Sequence, residues 1–155
     1  AEVGVVGTGG VASSLVPAIG LGGIASLGAL FNDHLVVAGR LQVTNFGLFG
    51  SSGLGVALEY VTDAGWSFGS GFDVRFVGNF VVSDTPKAVV LQVPLRVLYQ
   101  FGGRDEARRR GLALFLEFAP GYAPFIDGGL RFPRPVEPVP PLSLLGALGL
   151  SSVWN

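Results

Sequence analysis

Between residues 34 and 122 large apolar side chains recur at every second position, and charged or small ones fall between them. Side chains on a β-strand alternate between two faces with period two, so a sustained alternation of this kind predicts strands. From Trp66 to Phe80 one face carries Trp66, Phe68, Phe72, Val74, Phe76 and Phe80. The opposite face carries Ser67, Gly69, Gly71, Asp73, Arg75 and Asn79. Leu54, Val56, Leu58 and Tyr60 alternate in the same way with Gly55, Ala57 and Glu59. The charged face is small and the apolar face is large. That is the reverse of a strand whose greasy side fills a core, and it predicts an apolar exterior around a narrow polar interior.

Composition agrees with that reversal. Only 14% of residues are charged and mean hydropathy is +0.56, whereas an ordinary soluble domain has about a quarter of its residues charged. The net charge of −1 supplies no field that would gather nucleic acid, so no nucleic-acid partner is expected. Cys and Met are absent, which excludes disulfides, thiolate metal sites and thiol nucleophiles. The length of 155 residues predicts one domain over 1–155, with 1–10 a tail or the start of the first strand. The opening Ala1-Glu2, with no basic and then apolar leader before it, reads as a mature chain after signal-peptide removal.

The alternation divides the chain into eight strands. Two weak ones, roughly 8–19 and 23–31, flank Gly20-Leu21-Gly22-Gly23. Six follow at 34–46, 54–62, 66–82, 89–101, 112–122 and 142–154. Turns are expected at 32–34, 62–65 and 102–111 on one side, the periplasmic one if both termini lie there. Loops near 20–23, 47–53, 83–88 and 123–141 fall on the other, and the last holds six prolines. An even number of antiparallel strands in so short a chain predicts an all-β, closed, antiparallel eight-stranded transmembrane β-barrel. Closure also removes strand edges, which cannot face lipid. Tyr60, Trp66, Phe80, Tyr99, Phe101 and Trp154 lie near strand ends and are expected to form interfacial girdles.

The inward positions collect Arg40, Glu59, Asp73, Arg75, Arg96 and Glu117, three cations against three anions on five consecutive strands. An eight-stranded barrel has an interior that side chains fill. A lone charge there would be uncompensated, so opposite charges must pair. Arg suits this because its planar fork bonds both carboxylate oxygens. The expected result is an ion-pair network that plugs the lumen. A gated pore, in which pairs exchange to open a water path, is the sharper alternative. Acid/base catalysis by Glu59 and Glu117 lacks an accompanying nucleophile or cleft.

The chain resembles the small eight-stranded outer-membrane barrel families of the OmpA/OmpX type. The resemblance rests on the alternation, the short turns, the charged interior and the aromatic ends. It also rests on the paired segments VPLRVLYQF at 93–101 and LFLEFAPGYAPF at 114–125. It implies a bacterial outer-membrane location, lipids of that membrane as partner, a monomer, and no cofactor or metal. The short outer loops and the Asn155 that follows Trp154 depart from the family pattern.

Other features carry less. Gly7-Thr8-Gly9-Gly10-Val11-Ala12 matches the dinucleotide fingerprint GxGxxA, but Pro17 and Gly20 would spoil the helix that motif needs. The uncharged run 3–32 is long enough for a transmembrane helix, yet its eight glycines argue against one. His34 is the only histidine and falls in a turn, which disfavours a catalytic triad or multi-histidine metal site. Arg104, Arg108, Arg109 and Arg110 make a charged hairpin tip that suits anionic headgroups. Asp84, Asp127 and Glu137 lie in the opposite loops and are carboxylates suited to binding a divalent cation together with lipopolysaccharide. Expected functions are therefore a structural barrel of the envelope, with a gated pore, a lipid-modifying enzyme and a soluble barrel around an apolar ligand as alternatives. The last requires the Phe/Leu/Val face to point inward.

Overall fold

The computed structural model describes residues 1–12, 18–46, 49–78, 87–101, 110–127 and 142–154. These form β1 (Glu2–Ala12), β2 (Ala18–Phe31), β3 (Leu35–Phe46), β4 (Phe49–Val61) and β5 (Trp66–Gly78). They continue as β6 (Lys87–Gln92), β7 (Leu95–Gln100), β8 (Arg110–Asp127) and β9 (Leu142–Trp154). Every pairing is antiparallel, and β1 pairs with β9 from Glu2↔Val153 to Ala12↔Ser143. The sheet therefore closes on itself. β6 and β7 both lie between β5 and β8 and share one place in the ring, so nine segments make an eight-stranded barrel.

The break inside that shared place is set by Pro94. Proline has no N–H for the ladder, and the segment expected as one strand over 89–101 splits at Val93-Pro94. The neighbours still bond across it: Val93 N donates to Pro120 O at 3.0 Å and Gly71 N to Pro94 O at 3.1 Å. The register against β8 shifts between Val89 and Leu91.

The N-terminal boundaries differ from expectation. Gly20 to Gly23 lie within β2, not in a turn, and Glu2–Ala12 is the first strand. The uncharged run therefore forms strands on either side of residues 13–17, neither a helix nor a dinucleotide-binding turn. β8 also runs to Asp127, past the expected end at 122, carrying Pro120 within it.

Tight turns lie at the end of the barrel that holds the termini. Asn32 and Asp33 have φ of 48° and 59°, and His34 N bonds Phe31 O at 3.2 Å. Two successive left-handed residues are what a two-residue hairpin turn requires, and Asn and Asp tolerate them best. At the next turn Gly65 has φ 83°, and Thr62 Oγ1 bonds both the nitrogen and the oxygen of Trp66 at 3.1 Å.

Around the ring the exterior is apolar. Val5, Leu21, Leu41, Val56, Phe72, Leu95, Leu116 and Leu148, one from each place, are all exposed. The interior is divided. Val6, Ile24, Leu98, Ala113, Phe115 and Ala147 pack as an apolar cluster along one wall. Buried polar and charged side chains line the rest. The soluble-barrel alternative fails here, since its apolar face would have to point inward.

Candidate functional site: the charged lumen

The described polar interior has two groups of charges. Nearer the termini, Arg96 on β7 turns both Nη atoms toward Glu2 on β1, with Nη1 to Oε2 at 2.9 Å and Nη2 bonded to Oε1. This is the two-point fork of an Arg–carboxylate pair. Ser26 Oγ donates to the same Glu2 Oε2 at 3.0 Å. Glu59 on β4 stands further off, 3.4 Å from Arg96 Nη1. Phe115 underlies the cation, with the guanidinium carbon 4.2 Å from the ring centroid, a favourable cation–π placement.

In the second group, Arg40 Nη2 is ion-paired to Glu117 Oε2 and Arg75 Nη2 donates to Gln42 Oε1. Asp73 and Arg40 are both register partners of Gly55, from opposite sides. Arg96 and Glu117 are register partners too, so the two groups adjoin. Five of the six expected residues, Arg40, Asp73, Arg75, Arg96 and Glu117, are at most 5% exposed, while Glu59 is partly open at the terminal end. Glu2 was missed because only its position on the first strand, unreadable from weak alternation, brings it inside. With it the interior, among the described residues, holds four carboxylates against three guanidinium groups, not three against three.

Room for these long side chains comes from their ladder partners. Arg75 faces Gly53, Asp73 faces Gly55, and Glu59 and Arg96 both face Gly69. Gln92 faces Gly121 and Phe115 faces Gly149. A Cβ at Gly69 would stand 2.6 Å from Glu59 Cγ, and one at Gly53 would stand 2.9 Å from Arg75 Cγ. Such approaches are tighter than any packed core permits. A large polar residue opposite an inward glycine was a signal present in the sequence, but readable only once register was known.

Eleven buried polar atoms on Arg40, Gln42, Thr44, Ser51, Asp73, Arg75, Gln92, Arg96, Gln100 and Glu117 have no hydrogen-bond partner among the described residues. Left unmet, each would cost about 1–3 kcal/mol. Together they would match or exceed the roughly 5–15 kcal/mol by which a folded domain is stable. At the terminal end a cavity of about 70 Å³ opens between Glu2, Ser26, Glu59, Ser67 and Gln100. Its lining is mixed, with Leu30, Val36, Leu98 and Val153 beside the polar groups, and it has room for several waters, each of which needs about 10–15 Å³ by the same measure.

Tyr60, Trp66, Tyr99 and Phe101 gather at the terminal rim on β4, β5, β7 and just past β7. Trp66 lies 4.7 Å from Tyr99, and Tyr99 lies 5.2 Å from Phe101, centroid to centroid. His34 stacks on Tyr60 at 5.7 Å, and its Nδ1 donates to Val61 O at 2.9 Å. Phe80 lies outside the described residues. Trp154 ends β9 on the same rim, opposite Arg110. Tyr122, not among the expected girdle residues, is exposed toward the other end. Arg104, Arg108, Arg109, Asp84 and Glu137 are outside the described residues. No three His, Asp or Glu side chains among the described residues converge as metal ligands would.

Neither a protein-family model nor a curated sequence matches the chain. Among solved structures it is similar to Neisserial surface protein A, with a TM-score of 0.60 and 15% identity over 97% of this chain and 94% of that one. A likeness at that identity is one of fold, and it is the fold of the whole barrel.

Proposed function

We propose that the protein is an integral β-barrel of a bacterial outer membrane, monomeric, with lipid against its outer wall and a lumen plugged by paired charges. One observation carries this reading: the barrel is apolar outside at all eight places in the ring, while Arg40, Asp73, Arg75, Arg96 and Glu117 are buried inside it. Soluble monomers rarely expose contiguous apolar patches beyond a few hundred Å², whereas here Val5, Leu21, Val56, Phe72 and Leu148 belong to a belt around the whole circumference. Bilayers admit only helices and closed barrels, because every backbone group must be met internally, and closure through β1–β9 meets that demand. The aromatic rim supports an interfacial position at the terminal end. The plug reading rests on Arg96–Glu2 and Arg40–Glu117, which span the interior from β7 to β1 and from β3 to β8. The role that follows is structural and non-enzymatic.

The test combines two measurements on the purified chain. Folded barrel should require detergent and migrate differently on a denaturing gel before and after boiling. A monodisperse, detergent-free monomer would sink the membrane assignment. In planar bilayers the plugged lumen should pass no stable ionic current; steady openings altered by Arg75→Ala would favour the gated-pore alternative instead.

A further inference from the structure

The charges inside the barrel are matched in one group and not in the other. Among the described residues, Arg40 and Arg75 stand with Asp73 and Glu117, two against two. Nearer the termini Glu2 and Glu59 share one guanidinium, that of Arg96. Arg96 commits its fork to Glu2, which also accepts a bond from Ser26 Oγ. Glu59 keeps one 3.4 Å contact with Arg96, at a side chain that is 15% exposed. The cavity of about 70 Å³ opens beside this under-paired carboxylate.

One rung of the ladder fixes its surroundings. Leu30, Val36, Glu59, Gly69 and Arg96 are successive register partners from β2 round to β7. Apolar side chains therefore adjoin Glu59 on one side, and the cation stands beyond Gly69 on the other. Leu30 and Val36 line the cavity with Glu59. So does Gln100, only 8% exposed, whose Nε2 has no hydrogen-bond partner among the described residues. The cavity thus offers an anion, an unmet N–H donor and a short apolar strip.

We propose that it binds a small primary ammonium ion that carries an oxygen, of the 2-aminoethanol type. The ammonium donates to Glu59 in a charge-assisted bond and offsets the surplus carboxylate. The oxygen accepts from Gln100 Nε2, because a buried donor is nearly always met. The methylenes lie against Leu30 and Val36. A divalent metal ion suits the cavity less, since such ions call for several oxygen ligands and no three acidic side chains converge among the described residues. The site belongs to the interior and does not depend on what covers the outer wall, so its failure would leave the membrane assignment standing.

The test titrates 2-aminoethanol hydrochloride at neutral pH into the barrel folded in octyl glucoside micelles, and follows the carbon-13 carboxyl resonance of Glu59. That resonance is assigned by its loss in Glu59→Gln. The expected result is a saturating shift that potassium chloride at equal ionic strength does not give. Ethylamine hydrochloride, which lacks the oxygen, should saturate more weakly, and Gln100→Leu should bind the two amines alike. A shift that fails to saturate, or that potassium chloride matches, would overturn the site. Equal binding of both amines by the unaltered protein would overturn the part given to Gln100, and that comparison decides should Gln100→Leu fail to fold. Phosphatidylethanolamine mixed into the micelles presents the same group as a lipid headgroup; saturation with it and not with free 2-aminoethanol supports the site and names the lipid as its source. Ala1 also lines the cavity, so the titration is repeated with its α-amino group acetylated. Saturation by 2-aminoethanol only after acetylation would overturn the proposal and give the site to the chain's own amino group.

Discussion

Replacing Arg96 with methionine should be the most damaging single change to the charged interior. The residue is 3% exposed and commits both terminal nitrogens to Glu2, which is 6% exposed. Methionine keeps much of the volume over Phe115 and removes only the charge and its bonds. Glu2 then remains buried beside the neutral hydroxyl of Ser26, and Glu59 loses its salt-bridge partner among the described residues. Breaking a buried pair from one side costs about 3–5 kcal/mol, roughly a hundredfold or more in the folding equilibrium. Glu2→Gln keeps shape and gives up a charge-assisted bond, so it should cost less, about 1.5–3 kcal/mol. Glu59→Gln breaks a single 3.4 Å contact at a side chain that is 15% exposed, and should cost within about 1 kcal/mol. The Glu2→Gln/Arg96→Met double variant no longer strands an anion, so its cost should fall short of the sum of the two. Urea titrations of barrel refolded in phospholipid vesicles, read by tryptophan emission and gel migration, measure all four. An Arg96→Met midpoint equal to the parent's, or a Glu59→Gln cost at or above that of Glu2→Gln, would refute the assigned pairing.

Two further outcomes separate the inner and outer surfaces. Gly55→Ala should destabilise the barrel by about 1–3 kcal/mol, as overpacking does, because the new Cβ would run into the Asp73 carboxylate and stand 2.5 Å from Phe72 O. Gly39→Ala, whose Cβ would meet nothing nearer than Leu27 O at 3.9 Å, should be neutral in the same titration. Leu116→Arg, at an exposed position near the middle of β8, should cost about 2–4 kcal/mol in bilayers; a neutral result there would place water, not lipid, against that wall.

Much of the barrel was legible where large apolar residues alternate with polar ones. Leu35 to Thr44, Leu54 to Tyr60, Trp66 to Phe76 and Leu112 to Phe118 each read correctly as to which face is which. The first two strands did not, because Gly and Ala occupy both faces: Gly4, Gly22 and Gly28 face inward while Gly23 and Gly39 face outward on β2 and β3. Period carries no information when both faces are small. For the same reason Glu2 passed as the edge of a tail, although it holds the most buried cation pair at the terminal end. Proline misled in both directions. Pro94 broke a strand that alternation made continuous, whereas Pro124, expected in the loop from 123 onward, sits inside a strand that runs on to Asp127. The difference is in which carbonyls and amides the neighbours need, and that is a property of register.

The antiparallel seam between the first strand and the last has a consequence for how the chain comes together and how it is displayed. Its contacts join residues at opposite ends of the sequence, so the chain must surrender the entropy of its largest loop before the seam returns any bonding. Closure is therefore expected last, and it is what brings the Glu2 carboxylate to Arg96. Because Glu2 and Val153 are neighbours across that seam, whatever polypeptide is joined to either end leaves by the same rim. Two reporters fused one to each terminus would therefore stand on the same side of the bilayer, close enough to sense one another.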